Sequence, residues 1–198
     1  MKRFRWQLLI MILALVVIGI LLLSQQPETV VQVSAPEPVT GGVYTEGLIG
    51  SLSRLNPVLD IHNLVDQDIN RLLYNSLIRF DDRGLPQAEL AESWGISIDA
   101  RVYNFSLRTD ALWHDGQPVT SADVIFTIDM IRGPDLPIPE DIRAMWSEIE
   151  VIALDDYTLQ FQLPEPFAPF LDYLTFGILP SHYFPGISPE GLVDDPFN

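Results

Sequence analysis

The sequence predicts a body of mixed α and β structure in which antiparallel hairpins predominate. Alternating apolar and polar residues over Val102–Leu107 and Thr158–Leu163 have the period of half-buried strands, and each follows an earlier strand and a turn. Two stretches with helical spacing of apolar residues, each opened by a capping residue, lie outside those hairpins. There is no internal repeat and no βαβ chain of the doubly wound type.

In chain order, the first segment concerns location. Lys2, Arg3 and Arg5 precede an apolar run, Leu8–Leu23, that contains no charge. A basic start before such a run reads as an export signal with its basic end in the cytoplasm. At about 1.5 Å per residue the run covers roughly 24 Å, a little short of a hydrocarbon core of about 30 Å. It reads either as a cleaved signal or as a retained anchor. The poor small-x-small pattern, with Leu22 and Ser24 the best pair, favours the anchor over residues 1–23. Residues 24–40 hold Pro27, Pro36, Pro38 and small polar residues without helical period, the composition of a flexible tether.

Residues 41–198 are the folded part. Val43–Glu46 is a strand candidate, followed by a loop with Gly47, Gly50, Ser51 and Ser53. Asn63 caps a helix, with Asp66 in the capping-box position and Ile69, Leu72, Leu73 and Leu77 on one face. Ile78–Phe80 is a strand and Asp81–Gly84 a turn. Ile96–Ile98 and Val102–Leu107 form the first hairpin. Trp113-His114-Asp115-Gly116 is a turn, after which Thr120 caps a helix with Val124, Ile128 and Ile131 inward and Gly133-Pro134 at its end. Ile149–Leu154 and Thr158–Leu163 form the second hairpin around Asp155-Asp156-Tyr157.

Composition narrows the functions. The chain has 198 residues, 11 basic and 27 acidic, a net charge of −16 and no cysteine. Lys2, Arg3 and Arg5 are three of those bases, so the rest of the chain sets eight against 27, a net of −19. Nucleic acid, whose phosphates such a body repels, is excluded as a partner. Without cysteine there is no disulfide scaffold, thiolate metal site or thiol nucleophile. Gly47–Ser51 lacks the spacing and lysine of a phosphate loop. Asp66, Asp68 and Asn70 resemble the start of a calcium loop, but Arg71 and Leu77 stand where glycine and glutamate are required. His62, His114 and His182 form no pair at metal spacing, and no serine lies in G-x-S-x-G. Asp81-Asp82, Asp155-Asp156 and Asp194-Asp195 fall in turns, where aspartate bonds its own backbone. His114 reads as a shaper of its turn through a bond to nearby backbone, or as a general base. Neither an enzyme nor a cofactor is expected.

A series of words, in order, resembles one family. They are Leu55-Asn56-Pro57, Leu73–Asp81, Ala88–Trp94, Tyr103–Arg108, Trp113–Val124, Asp156–Leu159, Pro166–Leu171 and Gly177–His182. The fifth, which reads W-H-D-G-Q-P-V-T-S-A-D-V, is the most specific. The chain resembles the large extracytoplasmic solute-binding proteins of ABC importers, family 5, of the peptide and nickel type. It departs from them at Asp99-Ala100-Arg101, where the usual turn glycine is missing, in having no lipidated cysteine, and in length, since members are more than twice as long. The resemblance therefore implies a two-lobe periplasmic-binding-protein-like fold of class II. Residues 41–198 would supply the first lobe with its extra β-rich domain, the chain standing as an amino-terminal part by truncation or gene fragmentation.

The resemblance also implies a mechanism. Two lobes close over a ligand, here a peptide held extended by backbone pairing, and the closed form docks on the importer's permease subunits. The first strand and its loop reach the cleft, which makes Thr45, Glu46, Gly47, Leu48 and Ser51 the ligand-facing candidates. Glycine there lets backbone approach backbone, and the carboxylate of Glu46 suits an ammonium. The same residues also fit an ordinary turn after an edge strand. Trp146 is a further cleft candidate, with a core tryptophan as the competing reading. Ala88–Trp94 and Trp113–Val124 are expected to be structural. Other ligands on the same fold (a nickel chelate, an oligosaccharide) and a membrane-anchored interaction module without transport are the alternatives.

Overall fold

The computed structural model describes Trp6 and residues 11–13, 15–20 and 41–197. The chain divides into two compact units, Met1–Glu46 and Gly47–Asn198. In the first, Trp6 and the described residues from 11 to 20 are helical and mostly exposed. The expected anchor falls partly, and the expected tether wholly, outside the described residues. Among the described residues no helix is long and apolar enough to cross a membrane. The expected strand Val43–Glu46 does not form: Gly41–Glu46 has no regular structure, and Val43 is 96% exposed. A strand needs a neighbour to take its backbone groups, and water takes them here.

The second unit opens with helix α1, Leu64–Leu73, capped by Asn63, whose side chain accepts the Val65 N–H. A small hairpin follows, β1 (Ile78–Phe80) and β2 (Pro86–Ala88), closed by Asp81, whose carboxylate accepts the N–H groups of Arg83 and Leu85. Next come β3 (Ala91–Ile96) and β4 (Val102–Leu107). Strand β3 starts five residues earlier than the alternation suggests, and Ile98 lies in the turn, fully exposed. Ala100 takes the left-handed conformation at φ +54°, held in a turn where Asp99 accepts from Ser97 Oγ and Arg101 N.

Helix α2, Ser121–Arg132, and helix α3, Glu140–Glu148, precede the second hairpin, β5 (Glu150–Asp155) and β6 (Thr158–Gln162). The two hairpins merge into one antiparallel sheet of order β3-β4-β6-β5, with Phe105 opposite Leu159 and Tyr103 opposite Phe161. One face of that sheet is core: Tyr103, Phe105, Leu107, Leu159, Phe161 and Leu163 are all buried. The other is polar, with Gln160 Nε2 donating to Asn104 Oδ1 across the strands at 2.8 Å. Val124, Ile128 and Ile131 of α2 face the core as their spacing predicts. Arg132, in the last turn of α2, donates to the carbonyls of Trp146 and Ile149 and so satisfies the end of α3. Two 3-10 segments, Ala168–Leu174 and Ser181–Tyr183, and helix α4, Pro189–Val193, complete the unit.

The face of α1 differs from expectation. Its buried residues are Val65, Asp66 and Asn70, whereas Leu64 and Leu72 are exposed and Leu77 lies beyond the helix end. Asp66 does not close a capping box. It turns inward to hold the preceding loop, and that demand on the polar side decides which way the helix faces.

Candidate functional site

The loop Gly47–Asn56 is held from α1. Asp66 Oδ1 accepts the Ser53 N–H at 2.7 Å and Oδ2 the Arg54 N–H at 3.1 Å. Asn63 Nδ2 donates to the Ser51 carbonyl at 3.1 Å. The Tyr74 hydroxyl donates to the Leu55 carbonyl at 2.9 Å, and burial pushes that phenol up to about 12. Gly50 sits at φ +140°, and a Cβ there would lie 2.7 Å from Val65 Cγ2, so only glycine lets the loop lie this close to α1. Gly47, Leu48 and Ser51 are exposed on this segment, while Thr45 and Glu46 belong to the first unit and are exposed there. Trp146 is 1% exposed, with ring contacts to Phe161, Phe170 and Phe176. Its place is therefore the core, which is the competing reading of that residue; a ring so enclosed has only an edge to offer a cleft.

The words Trp113–Val124 and Gly177–His182 are stitched together by Asp123, which is 2% exposed. Its Oδ2 accepts the Thr120 N–H at 2.9 Å and Trp113 Nε1–H at 3.2 Å. Its Oδ1 accepts the Ser181 N–H at 2.8 Å and hydroxyl at 2.7 Å. The histidine that braces the Trp113–Gly116 turn is His182, whose Nε2 lies 2.8 Å from Asp115 Oδ2. His114, expected in that role, is exposed. Asp115 is held below the ordinary carboxylate range, chiefly by the Gln117 N–H and also by His182.

An open cleft of about 680 Å³ lies within the second unit, between the α1 side and the α2–α3 side. That volume suits a small-molecule ligand. Asp60, Asn70 and Tyr74 line it from one side, and Ile138, Ile142, Trp146 and Phe176 from the other. Gly177 closes its rim: a Cβ there would meet Pro57 and Tyr74 side chains at 2.8 Å. Asp60 is raised above the ordinary carboxylate value, mainly by desolvation, although Asn70 Nδ2 donates to its Oδ2 at 2.9 Å. Of these cleft residues Tyr74 and Gly177 lie in matched words and Trp146 is a candidate by itself, whereas Asp60 and Asn70 lie in none of the words. Asp60 and Asn70 could be found only from a fold that brings α1 against α3. Among the described residues no group of three or more histidine, aspartate or glutamate side chains could hold a metal ion.

Residues 86–194 match the family described as bacterial extracellular solute-binding proteins, family 5 Middle, and the chain belongs to that family. It is 32% identical over 122 residues to the periplasmic oligopeptide-binding protein OppA of Escherichia coli, covering 54% of this chain and 22% of that one. Its fold matches NikZ from Campylobacter jejuni, solved with Ni(L-His), at TM-score 0.61 and 32% identity, over 71% of this chain and 28% of that one. It also matches the oligopeptide-binding protein AppA from Bacillus subtilis, solved with a nonapeptide, at TM-score 0.67 and 24% identity, over 76% and 30%. The chain thus spans less than a third of each of these proteins.

Proposed function

We propose that this chain supplies the amino-terminal part of an extracytoplasmic solute-binding component of an ABC importer, and that the assembled protein captures peptides between two lobes. The observation that carries the reading is the family match over residues 86–194, with 32% identity to a periplasmic oligopeptide-binding protein. Thr45, Glu46, Gly47, Leu48 and Ser51 face the ligand from this side, and closure onto a second lobe creates the state that the importer's permease subunits recognise. Lys2, Arg3, Arg5 and the Leu8–Leu23 run direct the chain across the cytoplasmic membrane and hold it on the outer face.

Calorimetry with a peptide library tests the reading. A chimera in which residues 41–198 replace the matching segment of the Escherichia coli relative should take up peptide with saturable heat, and Glu46→Ala should weaken it. The 198-residue chain alone should give little heat. Tight peptide binding by that chain alone would remove the need for a second lobe. For the anchor, the exported protein should stay with membranes after alkaline carbonate extraction; recovery in the soluble fraction would show a cleaved signal instead.

A second reading keeps the fold and changes the ligand. The match to a protein solved with Ni(L-His) favours a metal chelate. Heat from the chimera with Ni(L-His), and none with peptides, would select it.

A further inference from the structure

We propose that the cleft between α1 and α3 is a seat for an organic ammonium ion, with Asp60 taking the charged head and Ile138, Ile142, Trp146 and Phe176 taking the apolar body. Asp60 is partly withdrawn from water and forms no ion pair among the described residues. Desolvation outweighs the attraction of Arg71, which acts on Asp60 without pairing with it, and a ligand that brings a cation into contact relieves that cost. Beside it, Asn70 is 2% exposed. Its Nδ2–H is spent on Asp60, and its Oδ1 is buried with no donor. Beside the carboxylate, Asn70 Oδ1 is thus an acceptor short of a donor. An ammonium group answers that imbalance, since it carries both charge and N–H donors.

The opposite wall is apolar and aromatic. Trp146 and Phe176 meet edge to face at 5.7 Å and line the cleft with Tyr74 and Tyr173. A wall of this kind suits the apolar body of an alkylammonium or arylalkylammonium ion through burial. The two guanidinium groups at the rim do not make this an anion site. Arg71 is paired with Asp68 at 3.6 Å and is exposed, as is Arg79. An anion seated between them would meet Asp60 and Glu89. The seat uses neither the Gly47–Ser51 loop nor a second lobe.

The test uses the full chain and benzylamine, which is protonated at neutral pH, with benzyl alcohol as the uncharged counterpart. Benzylamine should give saturable binding by calorimetry and amide shifts in residues 57–61, 138–146 and 172–177 by NMR. Benzyl alcohol should bind at least about tenfold more weakly, and Asp60→Asn should weaken benzylamine by a similar factor while leaving the circular dichroism unchanged. Nα-acetyl-lysine amide distinguishes the source of the head group. Tighter binding than benzylamine assigns the seat to a peptide side chain, and weaker binding assigns it to a free amine. No saturable benzylamine binding up to millimolar concentration, equal binding of the alcohol, or shifts elsewhere in the chain would overturn the proposal. The shift map reads on the unmodified chain, so it decides even where the Asp60 variant folds poorly.

Discussion

Asp123 is a buried carboxylate that takes five donors from three separate places: the Thr120 backbone and hydroxyl at the helix cap, Trp113, and the Ser181 backbone and hydroxyl. Removing it strands donors that water does not reach, so Asp123→Ala should cost roughly 2–4 kcal/mol in urea melts. Ser181→Ala removes one of the five and should cost about 1 kcal/mol. The two should couple in a double-mutant cycle, since they share one oxygen. A loss for Asp123→Ala no larger than that of Ser181→Ala would show that the carboxylate merely caps α2. Ala100 carries the opposite expectation. An L-residue at φ +54° is strained by about 1 kcal/mol, so Ala100→Gly should be neutral or stabilising by up to about 1 kcal/mol despite the entropy that glycine adds to the unfolded chain. A clear loss would mean that the Ala100 methyl makes contacts outweighing its strain.

At the scale of elements, α1 presents leucines to solvent and polar side chains to the protein. Leu64 and Leu72 are 76% and 85% exposed. Leu72→Gln should therefore change stability by less than about 0.5 kcal/mol, while Leu64→Gln with Leu72→Gln together should lower dye binding and concentration-dependent association of the isolated chain. A loss of several kcal/mol from Leu72→Gln would place that leucine in the core after all. The same helix shows what the sequence could and could not reveal. Apolar spacing over Ile69, Leu72 and Leu73 marks a helix, which exists, but spacing alone does not say whether a neighbour covers that face. Asp66 reverses the expected orientation because its partners, Ser53 and Arg54, lie in a loop with no periodic signal. The hairpins were legible because alternation is local: Leu159 and Phe161 are buried as read. Their merger through β4 and β6 was not, since nothing near Phe105 encodes its pairing with Leu159. The eight matched words made the family legible. The cleft stayed hidden because Asp60 and Asn70 belong to no word in which chemistry is expected.

At the scale of the whole molecule, charge governs the response to pH. Four carboxyls lie below their ordinary value of 3.8: Asp81 through the Leu85 N–H, Asp99 through Ser97, Asp110 through Arg108, and Asp115 through the Gln117 N–H. A carboxyl held low in the folded chain adds stability above the unfolded value and loses it as pH falls through the folded one. The contribution of these four is therefore constant between pH 5 and 8 and is lost only in acid. Asp60 works the other way. Raised in the folded chain, it carries a penalty at neutral pH that disappears as pH falls through its folded value. The net charge of −16 adds self-repulsion, which eases as carboxylates begin to protonate. Together these terms place the highest melting temperature on the acid side of neutrality, at about pH 5 to 6, with a fall below about pH 4. Salt should flatten the neutral limb, because at about 0.1 M the screening length is only about 10 Å. Asp60→Asn should raise the melting temperature at pH 7, and the gain should vanish below pH 3.8, where both states of the wild-type carboxyl are protonated. Thermal melts from pH 3 to 8 at two salt concentrations check each part. A melting temperature that climbs steadily from pH 5 to 8 would mean that the unfolded chain binds more protons than the folded one across that range, and that repulsion among the acidic residues is not felt by the fold.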